Sequence, residues 1–414
     1  MVNDLAFQRD KYKHLTDDEW RWMLQQVEGR ERTADKLPTF AAIPDWWYPV
    51  RLSCEQCSSE LTARYKASIV NQAFNRQSIV NRQSSNRQFL DLTGGYGVDT
   101  YFLSEHFDHT DYVEQDAELC RIAAHNFKFK IQNLKFKINN TSAEEFLREA
   151  GRYDLIYLDP ARRDSHGGKV FRLEDCSPDV TKLLPVLLDH LTPDGQILLK
   201  LSPMLDISQA LKELSAFSLQ WSVFVVAVKN EVKEVLLLSQ VRPDSAVSLQ
   251  PSAVSIQTTI TAIDLAEPEK VFVFTREEES NSVSGLTGVA GLSAKRSNSV
   301  SGLFLYEPNA AILKSGAYKL VGERFGLQKL DVNTHLYVSE TLVSDFPGRV
   351  WKCLNEQIND KMVHGQMVNV LVRNYPLTAE QLKKKLKLRD GGTTFVIGCR
   401  VQGKPTLFIA ERAT

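Results

Sequence analysis

The stretch FLDLTGGYGVDT, Phe89 to Thr100, constrains this 414-residue chain more tightly than any other. Phe89, Leu90 and Leu92 read as an apolar strand, and Gly94, Gly95 and Gly97 as a loop that no bulky residue would let close so far. The residues after Gly97 read as a helix start. Such a strand, turn and helix N-terminus leave backbone N–H groups pointing into a concavity that a nucleotide-like ligand can enter. A plain packing turn has the same pattern, so the loop alone does not decide between the two.

Strands and helices alternate from Phe89 to about Val241. DYVEQD is a second strand ending at Glu114, AELCRIAAHNF a helix, KFKIN a third strand, and SAEEFL a short helix. YDLIYLDPARRD gives a fourth strand ending at Asp159. A helix capped by Ser177 with Pro178 at its first position follows, then a turn at Thr192-Pro193-Asp194-Gly195 and a fifth strand, QILLKLSP. WSVFVVAV and EVLLLSQV are separated only by Lys229 to Lys233, too few residues for a crossover. They predict an antiparallel hairpin at the edge of an otherwise parallel sheet, unlike the helical crossovers of a dinucleotide dehydrogenase.

The flanks are different in kind. The first seventy or so residues are polar and helix-rich, with Trp46, Trp47 and Tyr48 read as packing aromatics and a helix starting near Ser58 or Ser59. Asn-Arg-Gln recurs three times between Phe74 and Phe89, Ser-Ala-Val-Ser recurs at Ser245 and Ser252, and SNSVSGL at Ser280 and Ser297. These short duplications read as insertions in connecting loops, although Arg76, Arg82 and Arg87 have the chemistry to touch a phosphate backbone. Beyond Glu269, KVFVFT, GLFLY, a helix from Pro308 through Phe325 and THLYVS suggest a small ferredoxin-like α+β unit. VNVLVRN, a helix from Thr378 to Leu388, a Gly391-Gly392 turn and the strands TTFVIGCRV and PTLFIAE complete the chain. In that helix Leu382 and Leu386 face inward, while Lys383, Lys384, Lys385 and Lys387 fan outward.

The net charge of −1 points to no partner, but it hides an asymmetry: ten Lys and Arg stand against three Asp and Glu from Lys361 to Thr414. A basic end of this kind suits nucleic acid. Of six cysteines only Cys54 and Cys57 are close, with no second pair of ligands, so no metal is expected and the thiols read as unpaired in a reducing cytosol. No apolar run has the length of a signal peptide or a bilayer span. A cytoplasmic protein without membrane contact is expected.

With DLTGGYGVD, Glu114 closing the second strand, DPAR at Asp159 to Arg162 and the terminal hairpin in hand, the chain resembles a class I S-adenosylmethionine-dependent methyltransferase. More narrowly, KLPTF at Lys36, EQCSSE at Glu55, LYEPNAAILKSG at Leu305, FPGRVW at Phe346 and RNYPL at Arg373 resemble the bacterial methyltransferases that carry a THUMP-like C-terminal domain. The resemblance implies a Rossmann-like sheet with an antiparallel terminal hairpin and a helical N-terminal region. Small ferredoxin-like and THUMP-like domains follow. The expected boundaries are 1–73 (helical), 74–245 (methyltransferase), 246–268 (linker), 269–320 (ferredoxin-like) and 321–414 (THUMP-like).

It also implies a donor site. Asp91 meets the ammonium of S-adenosylmethionine, and Thr93, Gly94, Gly95 and Gly97 admit the nucleoside. Glu114 accepts hydrogen bonds from the ribose diol, a task for a carboxylate at a strand end. Where the family often has an acid for the adenine amine, this chain has Ser142, leaving its hydroxyl and the Ala143 N–H. Asp159 and the Pro160 carbonyl resemble the fourth motif of amino-methylating enzymes and imply an exocyclic amine of a structured-RNA base as acceptor. Ala161 and Arg162 depart from that motif. Arg162, aided by Arg163, suits stacking on a base or gripping a phosphate, or else pairing with Asp164 or Asp175. Cys176 reads as a structural thiol and His166 as a loop residue. Two other readings stay open: an RNA-binding protein that keeps the fold without catalysis, and a methyltransferase for a small molecule or protein.

Overall fold

A computed structural model describes residues 9–78, 86–129, 135–162, 172–217, 219–240, 258–266, 268–283, 302–355 and 365–413. The chain forms two compact units, Met1–Ser222 with Glu234–Ala253, and Val223–Lys233 with Val254–Thr414.

The first unit opens with helices α1 (Asp17–Thr33), α2 (Arg51–Gln56) and α3 (Glu60–Ser78). Thr16 and Glu19 close a reciprocal capping box on α1, which satisfies donors the first turn would otherwise leave open. The strands β1 (Gln88–Asp91), β2 (His109–Glu114), β3 (Lys135–Asn140), β4 (Tyr153–Leu158) and β5 (Leu191–Leu201) pair in parallel. Helices α4 (Val98–Leu103), α5 (Ala117–Asn126), α6 (Ala143–Phe146), α7 (Val180–Asp189) and α8 (Ile207–Leu214) lie between or after them. Two strands follow in sequence, β6 (Gln220–Val228) and β7 (Glu231–Gln240). Lys229 and Asn230 between them both have positive φ, as a two-residue hairpin turn requires. β7 runs antiparallel to β5, pairing Leu198 with Leu238, and the order in this unit is β7-β5-β4-β1-β2-β3. The chain leaves β1 toward β2 on one side and returns to β4 on the other. The carboxyl ends of β1 and β4 therefore flank a switch point, where open α/β sheets hold ligands.

Three local expectations are corrected here. The helix after β4 is capped by Asp179, whose side chain accepts from the Thr181 and Lys182 amides at 3.1 and 3.3 Å, because Ser177 is engaged in a short antiparallel pairing with Ala161. Thr192 to Gly195 make a bulge inside β5 rather than a turn before it. Tyr153 pairs with Leu191 and Leu155 already with Gln196, and a Cβ at Gly195 would lie 2.7 Å from the Tyr153 carbonyl. The hairpin strand β6 is not a sheet edge either. In the second unit β8 (Thr259–Asp264) pairs with it in parallel, Val223 to Ala227 against Ile260 to Asp264, and β9 (Lys270–Thr275) pairs antiparallel with β8.

The second unit also holds a seven-stranded sheet of β10 (Phe304–Pro308), β11 (Gln328–Asp331), β12 (Thr334–Ser339), β13 (Gly348–Asn355), β14 (Met367–Arg373), β15 (Arg389–Val401) and β16 (Lys404–Arg412), in the order β11-β12-β10-β13-β16-β15-β14. The helix expected from Pro308 to Phe325 is broken into α9 (Ala310–Ser315) and α10 (Leu320–Arg324). Pro308 ends β10, Asn309 caps α9, and Gly316 at φ 86° ends it in the left-handed region. Gly391 and Gly392 lie within β15 as a bulge against β14 instead of forming a turn. Helix α11 (Ala379–Leu386) follows the capping Thr378 and buries Leu382 and Leu386 with Val368, Val396 and Ile409. Lys384, Lys385 and Lys387 stay exposed, and Lys383 pairs with Asp390 at 2.6 Å.

Candidate active site

A cavity of about 620 Å³ opens at the switch point of the first unit, within the size range of small-ligand sites. Asp91, Thr93, Gly94, Gly95, Gly97, Glu114, Ser142, Ala143 and Asp159 all line it. Pro160 does not. The backbone of Arg162 pairs with Cys176 next to the cavity, while its side chain lies outside the described residues, as do Arg76, Arg82, Arg163, Asp164 and His166.

The loop is built differently from the simplest glycine cradle. The Thr93 N–H donates to Asp91 Oδ1 at 3.0 Å, Gly94 to the Val113 carbonyl at 2.9 Å, Gly95 to Glu114 Oε2 at 2.8 Å and Gly97 to the Gly94 carbonyl at 2.8 Å. These four amides are committed, so the loop is no anion nest. What the glycines supply is closeness. A Cβ at Gly94 would sit 2.1 Å from the Tyr112 ring, and one at Gly97 (φ 81°) 2.8 Å from Phe127. Gly95 (φ 54°) has only the Thr93 carbonyl, at 3.8 Å, near its missing Cβ and so presents bare backbone to the space beyond.

Asp91 is buried and holds Thr100 Oγ1 at 2.5 Å; loss of solvent pushes its carboxyl up to about 7. Glu114 is braced from both sides, since Oε1 accepts from the Asp116 N–H at 2.8 Å. The Ser142 hydroxyl accepts from the Glu145 amide at 3.2 Å as the cap of α6, which leaves Glu144 as a further acid on that wall. Among the described residues, Asp91, Asp99, Glu114, Glu144 and Asp159 face one cavity lysine, Lys200. A wall so acidic suits a cationic ligand, and the bare Gly95 backbone suits a flat nucleoside; both agree with an S-adenosyl donor.

Beyond Asp159 and Thr93, sequence reasoning did not pick out the polar cluster at the floor. The Lys200 ammonium, at the end of β5, donates to Asp159 Oδ2, while the Asp159 N–H donates to Thr93 Oγ1 at 2.6 Å. Burial works against the charge on Lys200, yet Asp159, Asp99 and Glu234 overcome it and raise its pKa. Deeper in, Lys66 of α3 is wholly buried, donates to both Glu234 oxygens at 2.6 and 2.7 Å, and stands 3.1 Å from Asp99. Asp99 also accepts from Ser58 and Tyr157, each at 2.7 Å. Burial would raise the Asp99 pKa, but Lys66 and Lys200 hold it down; burial raises that of Glu234. The only hint in the sequence was charge embedded in apolar runs: Lys66 in ARYKASIV, Lys200 in ILLKL, Glu234 before VLLLS.

The N-terminal helices complete the walls through Ser53, Gln56, Cys57 and Ser58. Their aromatics fasten them to the glycine loop: Trp46 Nε1 donates to Tyr96 Oη at 2.9 Å, and Tyr96 donates to the Trp47 carbonyl at 3.1 Å. Among the described residues the six cysteines are free thiols, no cluster of three or more His, Cys, Asp or Glu side chains could hold a metal, and no helix is long and apolar enough to cross a membrane.

Comparison with known proteins meets this geometry. Residues 304–347 match a family model described as a ferredoxin-like domain, and residues 354–412 one described as THUMP domain-like. A candidate methyltransferase from Porphyromonas gingivalis W83, known from its crystal structure, is 30% identical, covers 97% of this chain and 92% of its own, and superposes with a TM-score of 0.74. The chain belongs to this methyltransferase family. Other solved structures match only in part. The Thermus thermophilus 16S rRNA N2 G1207 methyltransferase RsmC, in complex with AdoMet and guanosine, is 21% identical over 42% of this chain and 43% of its own, with a TM-score of 0.31. Human methyltransferase-like protein 13, in complex with SAH, is 20% identical over 47% and 86%, with a TM-score of 0.34. No curated protein sequence matches the chain.

Proposed function

We propose that the protein is a class I, S-adenosylmethionine-dependent methyltransferase that modifies structured RNA. The observation that carries the proposal is the acidic cavity at the carboxyl edge of β1, β2 and β4, with Glu114 fixed to the glycine loop and Asp91 buried beneath it. Asp91 would take the donor's ammonium, Glu114 its ribose hydroxyls through the lone pairs its two backbone amides leave free, and the Ser142–Glu144 segment its adenine. The bound donor supplies an activated methyl group. The chain's own part is to align the acceptor, exclude water and receive a proton, for which Asp159 stands at the end of β4.

RNA as the acceptor is supported by the THUMP-like match and by the exposed Lys384, Lys385 and Lys387 of a basic C-terminal segment. An exocyclic amine of a base remains a reading of the Asp-Pro pair, since a carboxylate and a carbonyl can accept its hydrogens. One oxygen of Asp159 is, however, engaged by Lys200.

Tritium transfer from labelled S-adenosylmethionine to total RNA of a strain lacking this gene tests the proposal. Incorporation by the wild-type protein that Asp159→Ala abolishes is the expected result. Donor binding with no transfer to RNA would leave a non-catalytic RNA-binding protein or a different acceptor, and would overturn it.

A further inference from the structure

We propose that the acceptor is a hydroxyl group, in RNA the ribose 2′-hydroxyl, rather than a base amine, and that Lys200 and Asp159 act together on it. This rests on the methyltransferase reading above and deepens it. Lys200 is a cavity-lining ammonium with its side chain 12% exposed, and it donates to the acceptor-side carboxylate. Behind it, Lys66, Glu234 and Asp99 form a buried ionic cluster.

The two acceptor chemistries place opposite demands on such a floor. A base amine attacks as a neutral group and becomes cationic, so it needs carboxylate and carbonyl acceptors, and a neighbouring ammonium opposes it. A hydroxyl is a poor nucleophile until its proton leaves, and negative charge then gathers on the oxygen. A fixed ammonium in a half-dry site stabilises that charge, and the carboxylate beside it takes the proton. Asp159 Oδ2 is held by Lys200, while no hydrogen bond to Oδ1 is found among the described residues. In the step, the hydroxyl proton passes to Asp159 Oδ1 as the oxygen–methyl bond forms. The carbon–sulfur bond of the donor breaks, and its electron pair stays on sulfur. Lys200 keeps its proton throughout, in accord with its raised pKa, and so acts as a charge and a positioning group, not as a base.

The experiment uses the full chain, labelled S-adenosylmethionine and total RNA from a strain lacking this gene. Alkali cleaves RNA only next to a free 2′-hydroxyl. Label in alkali-resistant dinucleotides is the expected result, and label in mononucleotides would overturn the proposal. Lys200→Met should lower turnover roughly 100-fold, in the range ascribed to losing one preorganised group that stabilises developing negative charge, with Lys200→Arg recovering part of it. A binding readout accompanies these. Removing a positive charge near the reacting methyl should favour the sulfonium donor over neutral-sulfur S-adenosylhomocysteine, so the affinity ratio of the two should rise several-fold in Lys200→Met. An unchanged ratio would place Lys200 away from the reaction and overturn its role. A wild-type protein that binds neither ligand would instead overturn the methyltransferase reading beneath it, and saturable binding of either ligand by Lys200→Met shows that this variant has folded.

Discussion

At Asp91 burial and the proposed ligand chemistry pull in opposite directions. Its carboxyl is pushed up to about 7 because the folded protein withdraws it from water, although Thr100 and the Thr93 amide favour the charged form. A folded-state pKa above the unfolded value means the folded state holds the proton more tightly, so Asp91's contribution to stability falls as pH rises from about 4 through 7. Donor binding as proposed runs the other way, since the ionised carboxylate would hold the ammonium. Affinity for S-adenosylhomocysteine, measured by calorimetry, is therefore expected to fall up to about tenfold per pH unit below 7, with Asp91→Asn weaker and flat over the same window. A wild-type affinity that does not change between about pH 5.5 and 8 would contradict this. Asp91, Glu114 and the three glycines were legible from sequence because strand, loop and helix follow one another within a few residues. Their hydrogen bonds were not, because the Gly95 amide meets Glu114 only once β2 lies beside β1.

At the scale of elements, α3 is tied to β7 by one buried lysine. Lys66 joins Glu234 and Asp99, groups 168 and 33 positions away in sequence, and its positive charge works against the burial that disfavours their ionised forms. Removing one partner of a buried pair typically costs about 3–5 kcal/mol, since it strands the other charges. Lys66→Met is expected to lower the unfolding free energy by about that amount in urea titrations, and a loss below about 1 kcal/mol would show the cluster to be of little consequence. Helical and strand periodicity located both elements correctly, but periodicity carries no information about which charged side chain finds which. The misplaced cap has a similar cause. Ser177 looked like an N-cap by local chemistry and was claimed instead by backbone pairing with Ala161, leaving Asp179 to cap α7. The bulges at Thr192–Gly195 and Gly391–Gly392 also read as turns locally, because glycine signals a change of direction without saying whether a partner strand continues past it.

For the molecule as a whole, the cavity proposed to take the donor lies in one unit and the THUMP-like match in the other. If the lysine face of α11 holds RNA phosphates, changing Lys384, Lys385 and Lys387 to Ser should weaken RNA binding by a similar factor for all sequences. It should also reduce the slope of log affinity against log salt by up to about 3, roughly one for each phosphate no longer neutralised. Unchanged affinity in filter binding would move the RNA surface elsewhere. The basic bias of this segment was plain in composition, and the alternation of strands and helices gave the architecture of the first unit. Of the acceptor floor only Asp159 was legible; Lys66, Asp99, Lys200 and Glu234 were not, because the floor is assembled from α3, α4, β4, β5 and β7 at once. Donor, acceptor and RNA surface alike have meaning only if the acidic cavity accepts a sulfonium nucleoside. Isothermal titration of the full chain with S-adenosylmethionine tests this most directly. Saturable binding at one site per chain, lost in Glu114→Ala and in Asp91→Ala, is the predicted result, and a wild-type protein that takes up no donor would contradict it.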